Sequence, residues 1–149
     1  MANKIKGLTR AKSFEESAFI ILKYRFNNIK KKVKDYFTTP SVENLHDLRI
    51  AVRRLRYSME NFELCYKKKE FNKILEYLKY LQDLIGEGRD LDVFEDKVKQ
   101  LARENEIEIP EFLYQIIENR KVDITHNIKL ELMKLLKDKE IKNFFGNKS

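Results

Sequence analysis

The sequence predicts an all-α fold: a bundle of about five long antiparallel helices forming a single domain over residues 1–149. Three observations point there. Four glycines and two prolines leave little material for a strand-and-turn architecture. Leu, Ile, Lys and Glu dominate, a composition that favours helix. Apolar residues recur at three- and four-residue spacing through several long segments. With 42% apolar residues, a chain of this length can bury a real core.

Residues 1–12 are basic and lack periodicity, and read as a loose arm. Ser13 with Glu16 three residues later is a capping-box start. The first helix is expected from Phe14 to about Phe37, with an apolar stripe of Phe14, Ala18, Ile21, Leu22, Ile29, Val33 and Tyr36. Arg25 lies inside that stripe. It either snorkels to solvent or pairs with an acid, or its helix borders a polar channel. Thr38-Thr39-Pro40-Ser41 ends this helix, and Ser41 and Asn44 offer caps for the next.

The central helix is expected to run to about Tyr66, and it splits cleanly around its axis. At about 100° per residue, Leu48, Val52, Leu55, Met59 and Phe62 share one sector of roughly 80°. His46, Arg49, Arg53, Arg56, Tyr57 and Glu60 lie opposite, with Arg54 toward an edge of that second face. Exposed helix faces usually interleave both signs at i,i+4. This row is arginine, meets no acid until Glu60, and offers planar, permanently charged donor forks one turn apart.

Lys67 to Glu70 makes a charged corner. Phe71, Ile74, Leu75, Leu78, Leu81 and Ile85 then give a core helix that Gly86 closes as a C′ residue. Arg89 and Asp90 fall in the turn, and Leu91, Val93, Phe94, Val98 and Leu101 start a short helix. Glu104 to Ile109 reads as a linker ending at Pro110, a first-turn proline. The last long helix is expected from Pro110 to about Lys137, with Leu113, Ile117, Ile124, Ile128, Leu132 and Leu135 on one side. Arg120 and Lys121 interrupt that side. Together with Arg25 and the arginine face they are hard to place in one dry core, so a basic channel between helices is expected. Ile141 to Phe145 could pack as a short helix or support a partner contact.

The net charge of +7 and pI near 9.3 favour polyanionic partners without choosing among nucleic acid, anionic lipid and polyphosphate. Cys65 is the only cysteine, so no intramolecular disulfide is possible, and no base lies within a turn of it. No stretch is long and apolar enough to span a bilayer, and the N-terminus has no secretory pattern. A soluble, cytoplasmic protein without a membrane partner is expected. His46-Asp47 spells the pair found in metal phosphohydrolases, but that chemistry needs several further ligands and the only other histidine is His126. Adjacent helical positions also diverge by about 100°, which disfavours a shared metal. That leaves His46 as a helix-start histidine bonded to backbone or as an anion contact in line with Arg49 and Arg53. No nucleophile–base pair, metal cluster or acid dyad stands out, so neither catalysis nor a cofactor is expected.

The string from His46 to Arg56 resembles the signature of the CHAD (conserved histidine α-helical domain) family. That signature is His, an acid or amide, an apolar residue and Arg, then a small or apolar pair and Arg-Arg-x-Arg. GEGRDLDVF, Gly86 to Phe94, resembles the family's second motif. The resemblance implies an all-helical module that binds inorganic polyphosphate through His46, Arg49, Arg53, Arg54 and Arg56. It also implies Arg89 as a ligand contact. Arg25, Arg120 and Lys121 join them from the helical-wheel argument alone. Such modules often sit beside a triphosphate-tunnel enzyme marked by Glu-x-Glu-x-Lys. The nearest string here, Glu106-Ile107-Glu108-Ile109-Pro110, has proline at the lysine position. The alternatives are a nucleic-acid-binding helical protein, for which the basic helix has few stacking aromatics, and an adaptor that recruits partners to polyphosphate bodies. The family usually repeats its His/Arg-bearing bundle twice, and this chain carries one copy. A homodimer joining two arginine faces around one groove is therefore expected.

Overall fold

The computed structural model describes residues 5–146, and the regular structure within them is helical, without strands. The order is α1 (Phe14–Thr38), α2 (Val42–Asn61), a 3-10 turn (Glu63–Cys65), α3 (Lys68–Glu104), α4 (Glu111–Lys137) and α5 (Lys139–Gly146). Residues 5–12 form two turns with no regular helix, and the first four residues of the expected arm lie outside the described ones.

Both N-cap bonds read from the sequence form, although the Glu16 carboxylate turns to Lys12 at 3.6 Å and the reciprocal bond of a capping box is not made among the described residues. Ser13 Oγ accepts from the Glu16 amide at 3.1 Å, and Ser41 Oγ accepts from the Asn44 amide at 3.1 Å. Each satisfies a first-turn N–H that has no intrahelical partner. Asn44 Nδ2 also donates to the Thr39 carbonyl at 2.8 Å and the Asp35 carbonyl at 3.3 Å, tying the α1–α2 corner shut.

Packing runs α1 on α2, α2 on α3 and α3 on α4, with α5 folded back on α1. The core collects the expected stripes: Leu48, Val52, Leu55 and Met59 from α2, Leu78, Leu81 and Ile85 from α3, Ile128, Leu132 and Leu135 from α4. Each such side chain contributes about 1.5–3 kcal/mol by leaving water. The tail is a helix, with Ile141 and Phe145 buried and Phe145 stacked on Phe26 at 4.6 Å. Phe26 is a core residue that the expected α1 stripe omits. Phe14, which it includes, is 56% exposed and leans on Phe62 at the far end of α2.

Two expected boundaries are corrected. The central helix stops at Asn61 rather than Tyr66, and a 3-10 turn absorbs the corner. More consequentially, Gly86 does not end a helix. α3 continues through Gly86 and Gly88 for 37 residues, about 55 Å, so Arg89 and Asp90 stand on a helix and not in a turn. Gly88 is there for packing. A Cβ at that position would come within 2.9 Å of Ile128 Cδ1, 3.2 Å of Ile124 Cγ2 and 3.3 Å of Leu45 Cδ2. Only glycine lets α3 approach α2 and α4 so closely.

The extra length has a consequence. The core takes no residue between Leu91 and Ile124. Beyond the level of the α2 start, α3 and α4 run on as a two-helix arm closed by residues 105–110, with Glu106 at a positive φ of 51°. Val93, Phe94 and Leu101, expected as the core of a short helix, are exposed there.

Candidate functional site

Two contacts fix how α2 lies against α3. Arg56 Nη1 donates to Gln82 Oε1 at 3.1 Å, and Leu45 meets the backbone at Gly88. In this antiparallel register Arg49 stands level with Gly86, and His46 with Arg89. On α2 the residues His46, Arg49, Arg53, Arg56 and Glu60 recur every three or four positions, and so form one stripe. On α3, Gln82, Gly86 and Arg89 do the same. The two stripes face one another along a groove between α2 and α3.

At the floor of that groove, Gly86 leaves room: a Cβ there would meet nothing within 4 Å. Beside it, the buried Arg49 Nε and His46 Nδ1 have no hydrogen-bond partner among the described residues. Buried donors are almost always satisfied, and leaving one unmade costs about 1–3 kcal/mol. Arg56 is held differently. Its Nε donates to Glu60 Oε1 at 3.2 Å while Nη1 reaches Gln82, which fixes the guanidinium plane and leaves its other N–H groups free of those bonds. Arg53 is exposed and lies over the Tyr57 ring at 5.5 Å, with Arg56 over the same ring at 5.4 Å. Arg89 is the last cation of the row; beyond it burial pushes the Asp92 carboxyl up, and Lys121 and Arg89 pull it partly back down.

Four of the residues marked in the sequence stand elsewhere. Asn44, Ala51 and Ser58 form the α2 stripe that faces α1, about 160° from the Arg49–Arg56 stripe. Arg25 stands on α1 with its guanidinium over the Tyr24 ring at 5.9 Å, and its Nε too is buried with no partner among the described residues. Arg54 is turned about 160° from Arg56 and is exposed. Arg120 and Lys121 belong to the α3–α4 seam. Lys121 Nζ pairs with Glu95, which also holds Lys99 Nζ at 2.8 Å, and Arg120 sits 3.9 Å from Glu87. Glu95 is 7% exposed, and the two lysines hold its carboxyl below the usual range. The single basic channel expected from two interrupted stripes and the arginine face is thus three separate places. Only one of them is a row of cations facing open space.

The residue sequence reasoning missed is Gly86 in its actual role, together with Gln82 as the anchor for Arg56. A signal existed: Gln82, Gly86 and Arg89 share a helical face once the helix is allowed to continue.

The remaining features offer little chemistry. Burial, with Glu15 nearby, pushes the Cys65 thiol up and away from thiolate. His126 lines a separate cleft of about 490 Å³ between the Pro40–Val42 corner and the arm, where Lys121 is already engaged by Glu95. No three His, Cys, Asp or Glu side chains converge on a common point among the described residues. No helix among them is long and apolar enough to cross a membrane.

Compared with known proteins, the chain matches a family model described as the CHAD domain over residues 2–99. That span contains α1, α2 and α3 as far as Lys99, and with them both stripes of the groove. No curated protein and no solved structure matches it. With two thirds of its length matched, including the His46–Arg56 row and the Gly86–Arg89 face that lines it, the chain belongs to the CHAD domain family.

Proposed function

We propose that the α2–α3 groove binds inorganic polyphosphate, without chemistry, through His46, Arg49, Arg53, Arg56 and Arg89. The observation that carries this reading is the pair of unpartnered buried nitrogens, Arg49 Nε and His46 Nδ1, beside the open side of Gly86. A chain of phosphates supplies acceptor oxygens at short, regular spacing. It can engage forks one turn apart at once, each through charge-assisted bonds. Membership of a family associated with polyphosphate supports the ligand class. An arginine row with no nucleophile–base pair beside it favours binding over catalysis.

Calorimetry with polyphosphates of defined length against orthophosphate tests it. Affinity should rise with chain length, and for long chains log affinity should fall steeply with log salt, because counterions are released. Equal affinity for orthophosphate and a long chain would replace the groove with a single small-anion pocket.

One observation favours a second reading. Tyr57 is 46% exposed between Arg53 and Arg56, where it could stack a base. Competition between polyphosphate and single-stranded RNA at fixed salt separates the two, with polyphosphate expected to displace RNA. A polyphosphate-bound groove with a free arm would also suit an adaptor.

A further inference from the structure

The α3–α4 arm carries an apolar patch with a definite shape. On α3, Glu87, Phe94 and Leu101 recur at seven-residue intervals, and on α4, Phe112, Ile116 and Arg120 recur at four, so each set is one stripe. The Glu87–Arg120 pair at 3.9 Å shows that the two stripes flank the same side of the arm. Phe94, Leu101, Phe112 and Ile116 therefore share a face, and they are 50%, 58%, 68% and 58% exposed. Together they show roughly 400 Å² of apolar surface, within the size range that marks functional patches on monomers. The arm itself has little to hold it: Glu95 and Ile117 are its buried side chains.

We infer that this face is the interface with a second copy of the chain, packed two-fold with the arms antiparallel. Area and charge both select that occupant. Doubled by symmetry and widened by its polar rim, the patch reaches the ~1,000 Å² that a specific interface needs. It is also self-complementary in the sense an isologous contact requires, since its four residues centre on the middle of the arm. The tip, from Glu104 to Glu111, holds four glutamates and no cation. Parallel arms would set two such tips side by side, which like-charge repulsion opposes. Antiparallel arms lay each tip along the root of the other, where Arg120, exposed and only loosely paired with Glu87, comes to the level of those glutamates. Glu87 lies one residue beyond Gly86, about 100° round α3 from the groove. This dimer therefore leaves both grooves open and does not merge them, and it stands independently of what the groove binds.

Sedimentation equilibrium on the full chain tests it. The wild type should be a dimer at tens of micromolar. Leu101→Glu and Ile116→Glu, at positions more than half exposed, should each sediment as monomers with unchanged helix content. Arg120→Glu, outside the apolar patch, should raise the dimer Kd at least tenfold. A monomeric wild type at that concentration, or a dimer indifferent to Leu101→Glu and Ile116→Glu, overturns the inference.

Discussion

The two long sides of α3 treat positive charge in opposite ways. Toward α4, three cations meet acids: Lys99 and Lys121 share Glu95, and Arg120 has Glu87. Toward α2, Arg49 Nε and His46 Nδ1 are buried with no hydrogen-bond partner among the described residues, while Glu60 is engaged by Arg56. Net charge does not distinguish the sides, because both carry cations. What differs is where the acids stand. A cation whose donors are satisfied internally is part of the scaffold. A cation held rigid with its donors unsatisfied is prepared for an anion that comes from outside. On that comparison Lys99 and Lys121 belong to the scaffold, and the α2 arginines are the cations that the proposed anion would meet.

The sharpest break of that comparison is at Glu95. Glu95→Ala removes the acid shared by two lysines in a nearly buried position and should destabilise the protein by about 2 kcal/mol, read as a lower urea midpoint. Polyphosphate affinity should stay within twofold, since the groove is untouched. A large affinity change with unchanged stability would mean that the α3–α4 cations serve the ligand after all.

The converse experiment is on α2. Arg49→Ala with Arg53→Ala removes two forks and leaves the apolar stripe from Leu48 to Met59 in place. Polyphosphate affinity should drop at least tenfold, about 1.4 kcal/mol, with helix content and urea midpoint retained. Arg49→Lys should recover only part of the affinity, because the planar fork is lost.

A third test uses pH. The Glu95 carboxyl is held down first by the hydrogen bond from Lys121, then by that from Lys99. A folded-state pKa below the unfolded value means the contribution is fully present above about pH 4.3, the ordinary glutamate value, and is lost as pH falls through the depressed one. Urea midpoints of the wild type and of Glu95→Gln should differ at neutral pH and converge on acidification. A constant difference down to pH 3 would remove ionisation of Glu95 from the account.

How much of this was legible in the sequence depends on whether a feature is local. The caps at Ser13 and Ser41, the stripes of α1, α2 and α4, and the arginine row each live on a single element, and period and cap chemistry expose them. The pairing of Lys121 with Glu95 joins residues on two helices 26 positions apart. Nothing in the α4 wheel reveals it, so Lys121 looked like part of a channel. The reading of Gly86 failed for a different reason. A glycine that ends a helix and a glycine that clears space on one look alike in sequence. That reading also hid half the groove, because breaking α3 at Gly86 separates Gln82 from Arg89.

Gly86 and Gly88 therefore give the smallest but most discriminating test, since they lie two residues apart on one helix with opposite reasons to be glycine. Each costs α3 about 1 kcal/mol of helix propensity relative to alanine. At Gly86 nothing lies within 4 Å of an added Cβ, so Gly86→Ala should recover about 0.5–1 kcal/mol of stability. At Gly88 the methyl would press on Ile128, Ile124 and Leu45 from two other helices. Crowding of about 1–3 kcal/mol outweighs the propensity gain, and Gly88→Ala should lower stability by about 1 kcal/mol. The urea midpoints should thus move in opposite directions. A larger side chain then separates stability from binding: Gly86→Leu fills the open side of the groove next to Arg49 and should weaken polyphosphate binding several-fold while the helix stays intact. If Gly86→Leu binds as tightly as the wild type, the space beside Gly86 is not where the phosphates lie, and the arginine row must present its forks outward to solvent instead.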